Sequence, residues 1–225
     1  MNSTTIRLDL LKNGIVSVVL LFSLLCASDS CYAQVGARVS LIAPRGDMGA
    51  VFRKSLSYEV SYYFEYGGGR VRSTLGLSFA SLAPRADSFP TYEDGKGNSG
   101  NGHSVYPQMT IYDPMKNYSF YIDNSFRIFN VQNFSFYIGA RLTMGLSKSS
   151  MVTYGKYDAT DVSVGRHDND FGGFGASVQG VYAFDPHFHV CAILGHNALV
   201  APDWSYTFSH HFFSLGVNYI FKIDE

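Results

Sequence analysis

Between Ser55 and Tyr66 every second residue is apolar or aromatic. Leu56, Tyr58, Val60, Tyr62, Phe64 and Tyr66 alternate with Ser57, Glu59, Ser61, Tyr63 and Glu65. Side chains alternate across a strand, so this period predicts a β-strand with one apolar and one mostly polar face. The pattern recurs along the chain and predicts further strands at 35–43, 70–82, 118–129, 134–146, 171–184, 188–197 and 210–221. The connections alternate in length. Short turns are expected at Gly67-Gly68-Gly69, Asn130–Asn133 and Asp185-Pro186-His187, and longer segments at 44–54, 83–117, 147–170 and around Pro202-Asp203-Trp204.

Eight sequential strands of this length can each cross a bilayer when tilted, and hydrocarbon tolerates no open sheet edge. The expectation is an all-β, eight-stranded antiparallel up-and-down transmembrane barrel. Its short turns and both termini would lie on the periplasmic side and its long segments outside. Periodicity alone allows the reverse arrangement, a soluble lipocalin-like barrel with the apolar parity inside. Three features favour an apolar exterior. Arg38, Glu59, Glu65, Arg72, Asp123, Arg127 and Arg141 share the polar parity, where they can pair within a narrow lumen. Apolar-parity aromatics flank the short turns and the C-terminus (Phe64, Tyr66, Phe126, Phe134, Phe184, Phe188, Tyr219, Phe221), as an interfacial girdle requires. The polar parity is also rich in Gly and Ser, which suits a crowded eight-strand interior. Paired charges in so narrow a lumen predict a plug rather than a pore.

The last strand carries a further signal. Ser214, Gly216, Tyr219 and Phe221 stand in the order polar, glycine, aromatic, aromatic on an otherwise alternating strand. This resembles the C-terminal signature of bacterial outer-membrane β-barrels. In that family the outer-membrane assembly machinery reads this strand, which closes the barrel against the first. Over residues 34–225 the chain resembles the small eight-stranded barrels of the OmpA/OmpX-like superfamily, and its Tyr- and Phe-rich strands look like barrel families of Bacteroidota. The resemblance is architectural. It implies an outer-membrane location in contact with lipid and lipopolysaccharide, and names no activity.

At the N-terminus, Arg7 and Lys12 precede the apolar run Ile15–Ala27, and Cys31-Tyr32-Ala33 offers small residues at a cleavage site. The run is too short for a spanning helix and reads as a secretory signal peptide over residues 1–33, with Gln34 as the mature start. The 18 Phe, 16 Tyr and 22 Gly fit a barrel, and a net charge of −1 gives no basic footprint for nucleic acid. Cys191 would be the one cysteine left after processing, so no intramolecular disulfide is expected.

No catalytic, cofactor-binding or metal-binding set is expected. His196-Asn197-Ala198 invites comparison with outer-membrane lipid A deacylases, which resemble it in using a His-x-Ser pair facing lipid. Here Ala198 stands where the nucleophile belongs, and acyl transfer by that route has no hydroxyl. His187 and His189 should lie at the opposite end of the barrel from His210 and His211, too far to share a metal. Acidic residues of the long segments (Glu93, Asp94, Asp158, Asp161, Asp168, Asp170) match no EF-hand spacing. The expected role is therefore non-enzymatic: a barrel whose external loops contact a partner, polysaccharide or surface ligand. The alternatives are a lipid-modifying enzyme of the outer leaflet or a component of a secretion or envelope complex.

Overall fold

The computed structural model describes residues 32–95, 104–155, 162–200 and 208–221. In chain order its elements are β1 (Tyr32–Arg45), α1 (Gly46–Val51), β2 (Ser55–Tyr66), β3 (Val71–Leu82), β4 (Phe89–Gly95), β5 (Ser104–Tyr112), β6 (Met115–Val131), β7 (Phe134–Gly155), β8 (Val162–Ala183), β9 (Phe188–Val200) and β10 (Phe208–Phe221). Every pairing between strands is antiparallel, and β1, β2, β3, β6, β7, β8, β9 and β10 pair in that order. β1 then pairs with β10 from Ala33↔Phe221 to Arg45↔Ser209 and closes the ring. The result is an eight-stranded antiparallel barrel. Of the expected targeting segment only Tyr32 and Ala33 are among the described residues, and both already belong to β1.

Burial is inverted relative to a soluble barrel. Phe174, Phe184, Phe126 and Val60 are 75, 66, 61 and 57% exposed, whereas Arg72 and Asp123 are each 1% exposed. An exterior of this kind loses little in hydrocarbon and would be costly in water. Aromatic pairs ring the short-turn end, among them Tyr182–Phe184 and Tyr219–Phe221 with centroids 5.2 and 5.0 Å apart.

The interior is filled by large side chains lying over glycines. Gly36, Gly76, Gly195 and Gly216 sit beneath Tyr63, Tyr121, Phe212 and Arg38, and a Cβ at any of the four would meet the facing side chain. At the long-segment end the lumen is capped by Phe52, Leu82, Met115, Phe171 and Leu199, with Met48 and Val51 of α1 packed on them. Paired main-chain bonds clamp this cap. The Arg53 N–H donates to Ala83 O at 2.9 Å and the Arg85 N–H to Val51 O at 2.8 Å.

The long segments depart from expectation. The 83–117 segment contains a hairpin, β4–β5, and β5 pairs with the far part of β7 from Gln108↔Gly155 to Tyr112↔Met151. The 147–170 segment is largely strand, since β7 and β8 stay paired as far as Tyr154↔Val162. Gly, Asn and Asp around residues 94–102 and 155–161 suggested loops throughout. The β-branched and aromatic runs beside them (Thr110-Ile111-Tyr112, Val152-Thr153-Tyr154, Val162 and Val164) have the composition of strands. The short helix α1 was also unanticipated. Residues 96–103, 156–161 and 201–207, with Asp158, Asp161 and Asp203, lie outside the described residues.

Candidate functional site

The polar parity delivers its charges to the lumen as a ladder. Arg141 lies between Tyr121 and Phe212, with its guanidinium carbon 4.1 and 4.6 Å from the ring centroids. Arg38 follows between Tyr121 and Tyr63 at 5.8 and 5.4 Å, and Arg72 between Tyr63 and Tyr137 at 5.6 and 4.6 Å. Each spacing lies within reach of a cation–π contact. Cations thus alternate with rings from the capped end to the short-turn end.

Carboxylates neutralise this column. Asp123 accepts from Arg141 Nε at 3.3 Å, Ser177 Oγ at 3.3 Å and Gln179 Nε2 at 3.1 Å. Glu59 accepts from Ser40 Oγ at 2.5 Å and lies 3.9 Å from Arg141. Arg72 pairs with Glu65. Arg38 donates to Tyr121 Oη at 3.0 Å and to Ser61 Oγ at 3.2 Å. Glu65 and Arg127 take different places from the other five. Glu65 retains 20% side-chain exposure, and Arg127 reaches the rim, donating to Gly68 O at 3.0 Å. A bulge in β6 between Arg127 and Phe129 shifts the register there.

Between ladder and cap a cavity of about 40 Å³ is lined by Ser57, Glu59, Asn117, Arg141, Thr143 and His210, among others. Glu59 Oε2, Arg141 Nη2 and Thr143 Oγ1 have no hydrogen-bond partner within the protein. A space of this size and polarity suits about three waters. No open passage follows from it, because rings and guanidinium groups block the column below.

The members of the terminal signature divide between two faces. Ser214 is fully buried with its Oγ 2.6 Å from Ser40 Oγ, and Gly216 lies against Arg38. Tyr219 and Phe221 are 48 and 49% exposed on the outer face.

The histidines separate as their positions predict. His187 bonds Ile220 O through Nδ1 at 3.1 Å near the short turns, whereas His210 lies in the lumen beside Asn197 at the far end. Among the described residues no group of three or more His, Cys, Asp or Glu is placed to hold a metal. His196 meets His211 on the outer face, Nδ1 to Nδ1 at 3.1 Å, a cross-strand pair that sequence reading missed because it depends on the register of β9 against β10. Ala198 pairs with Ser209, which places a serine one outward row beyond the two imidazoles. Among the described residues, no hydrogen bond joins Ser209 to either histidine.

No protein-family model matches the chain, and no curated protein matches its sequence. Solved structures do. Neisserial surface protein A superposes with a TM-score of 0.56 at 18% identity, over 86% of this chain and 100% of that one. The chain has the fold of the small outer-membrane β-barrels. A major outer membrane protein from Thermus thermophilus matches with a TM-score of 0.50 at 14% identity, over 86% and 100% of the two chains. In an outer-membrane barrel the apolar exterior is the lipid-facing surface, and the Arg–aromatic ladder is its filled lumen.

Proposed function

We propose that this protein is a non-enzymatic barrel of the bacterial outer membrane, with both termini periplasmic, and that its working surface is the sheet standing beyond the cap. The observation that carries this reading is the filled lumen. With the column occupied from Phe212 to Tyr137, what remains for recognition is the exterior and the four-stranded extension formed by β4, β5 and the far halves of β7 and β8. That extension is tied to the barrel through β7, and Thr110 Oγ1 lies 3.0 Å from Thr153 Oγ1 across the β5–β7 seam. Its outward face presents Ile111, Val152 and Val164 in one cross-strand row, with Val164 74% exposed. Strands give a contact surface a fixed shape, which lowers the ordering cost of binding relative to a flexible loop. A protein or glycan partner in the envelope or on a neighbouring surface fits this arrangement. The lumen charges act as a structural plug, and Ser214, Gly216, Tyr219 and Phe221 serve assembly.

The test pairs two measurements on two variants. Replacing residues 88–113 by a short turn removes β4–β5 and should leave heat-modifiable migration intact while abolishing partner capture. Asp123→Ala should lower stability and spare capture. The opposite pattern would point to a lumenal role.

A further inference from the structure

The outer face changes character at the capped end of β1 and β10, and on β9 over the two outward positions that precede the exposed Val200. Leu41, Phe213 and Leu194 form one outward row across these strands, each more than 40% exposed. The next outward row is Ala43, His211 and His196, and the one beyond is Arg45, Ser209 and Ala198. Lys54 directly precedes β2, whose first residue Ser55 pairs with Ile42, so Lys54 stands one step past the last β1–β2 pair, on the Ala43 side. Arg45 and Lys54 are both exposed. The small side chain of Ala43 is therefore a floor flanked by Lys54 and His211, with Arg45 one row beyond and His196 on the next strand. At about 4.8 Å between strands the cluster is roughly 15 Å wide from β2 to β9.

Two imidazoles 3.1 Å apart have the spacing of a transition-metal chelate, but the surroundings argue against a cation. Among the described strand residues and the residue leading into β2, Arg45 and Lys54 are the charged neighbours, and the outward positions of these four strands at this level contain no Asp or Glu. A field of one sign repels a metal ion and attracts an anion. The opposite wall differs, since Lys148 faces Asp168 across β7 and β8 and the charges there are mixed.

We infer that Arg45, Lys54, His196 and His211 form a binding site for the phosphate groups of a lipid A-type glycolipid in the outer leaflet. The inference rests on the reading that the capped end faces outward. The cluster sits one row beyond the apolar band, where the headgroups of that leaflet begin. A guanidinium matches phosphate oxygens through paired N–H donors, Lys adds a point charge, and imidazole N–H groups complete the set. Three alanines (Ala43, Ala198 and Ala176, which pairs with His196) leave room for a headgroup between the longer side chains.

The experiment uses the full chain in phosphatidylcholine nanodiscs containing either bisphosphorylated lipid A or its dephosphorylated form, with retained lipid counted by native mass spectrometry. The wild type should retain the phosphorylated form about tenfold better, and the Arg45→Gln/Lys54→Gln double variant should lose that preference. Arg45→Lys should keep part of it, and Lys116→Gln/Lys148→Gln on the opposite wall should keep it all. Equal retention of both lipids by the wild type overturns the site, as does an unchanged preference in the double variant. Displacement of the lipid by inorganic phosphate at a concentration equal to that of the lipid also overturns it, in favour of a free-anion site. Heat-modifiable migration is checked for every variant. A wild type that lacks it in the nanodisc would refute the membrane reading itself, whereas a folded wild type without lipid preference refutes only the site.

Discussion

Gly76 and Tyr121 face each other across β3 and β6, and the tyrosine ring fills the volume that a side chain at Gly76 would occupy. Tyr121 is in turn held by Arg38 and Arg141, one on either side of it along the lumen. A single glycine thereby sets the position of the ring at the centre of the ladder. Gly76→Val should overpack this layer and destabilise the barrel by about 1–3 kcal/mol, read as a lower urea midpoint for unfolding from lipid vesicles. An unchanged midpoint would mean that the ring does not occupy that space.

Asp123 is the hub of the lumen, accepting from Arg141, Ser177 and Gln179. Removing one member of a buried pair leaves the other charge without compensation, at a cost of about 3–5 kcal/mol. Asp123→Ala should show that loss in urea unfolding. Adding Arg141→Met should recover part of it, because the stranded cation is then gone. A double variant less stable than Asp123→Ala alone would contradict the pairing.

Tyr219 and Phe221 lie exposed at the closing seam, where Phe221 faces Ala33 and Tyr219 faces Val35. Replacing both by Ser should reduce outer-membrane levels severalfold in cells. Purified protein refolded in detergent should still become heat-modifiable, because neither ring packs in the lumen. Normal cellular levels would remove these residues from assembly.

Asp185 caps the turn between β8 and β9, accepting the backbone N–H groups of His187 and Phe188, each at 2.7 Å. Those two bonds hold its carboxyl below the ordinary carboxylate range. A lowered value means that the charged form supports the folded turn. The support is complete above the ordinary range and is lost as pH falls through the lowered value. Amide exchange at His187 and Phe188 should therefore accelerate, beyond its intrinsic pH dependence, only in strong acid. Asp185→Ala should show the faster exchange at every pH. Protection in the wild type that does not change on acidification would rule out the carboxylate as the holder of the turn.

A lipid-modifying activity makes a different prediction. With Ala198 beside His196 and no hydrogen bond from Ser209 to either imidazole, purified protein should release no fatty acid from radiolabelled lipid A. Release that Ser209→Ala abolishes would establish the enzyme reading.

Most of the barrel was legible in the chain because a strand exposed to lipid on one face and a filled lumen on the other must alternate residue by residue. Ser55–Tyr66 and Phe134–Leu146 do so without interruption. Strand number, the alternation of short and long connections, and the polar parity of Arg38, Glu59, Arg72, Asp123 and Arg141 all follow from that period. The sequence also placed the aromatic residues beside the short turns, because the chain distance from a turn is a direct measure of depth along a strand.

Tertiary structure decided what depends on register and on partners far apart in the chain. Whether Arg127 joins the ladder was settled by depth: it pairs with Tyr137 on the inward parity, but it stands at the short-turn rim, where its guanidinium turns to Gly68 O. The order of rings and cations in the ladder comes from strands far apart in the chain, and no local pattern encodes how their side chains interleave. The meeting of His196 with His211, and of both with Arg45 and Lys54, likewise exists only once β9, β10, β1 and β2 are in register. The long segments needed the structure for a further reason. A strand that pairs beyond the bilayer is no longer held to an apolar face, so its alternation fades even though its backbone hydrogen bonds continue.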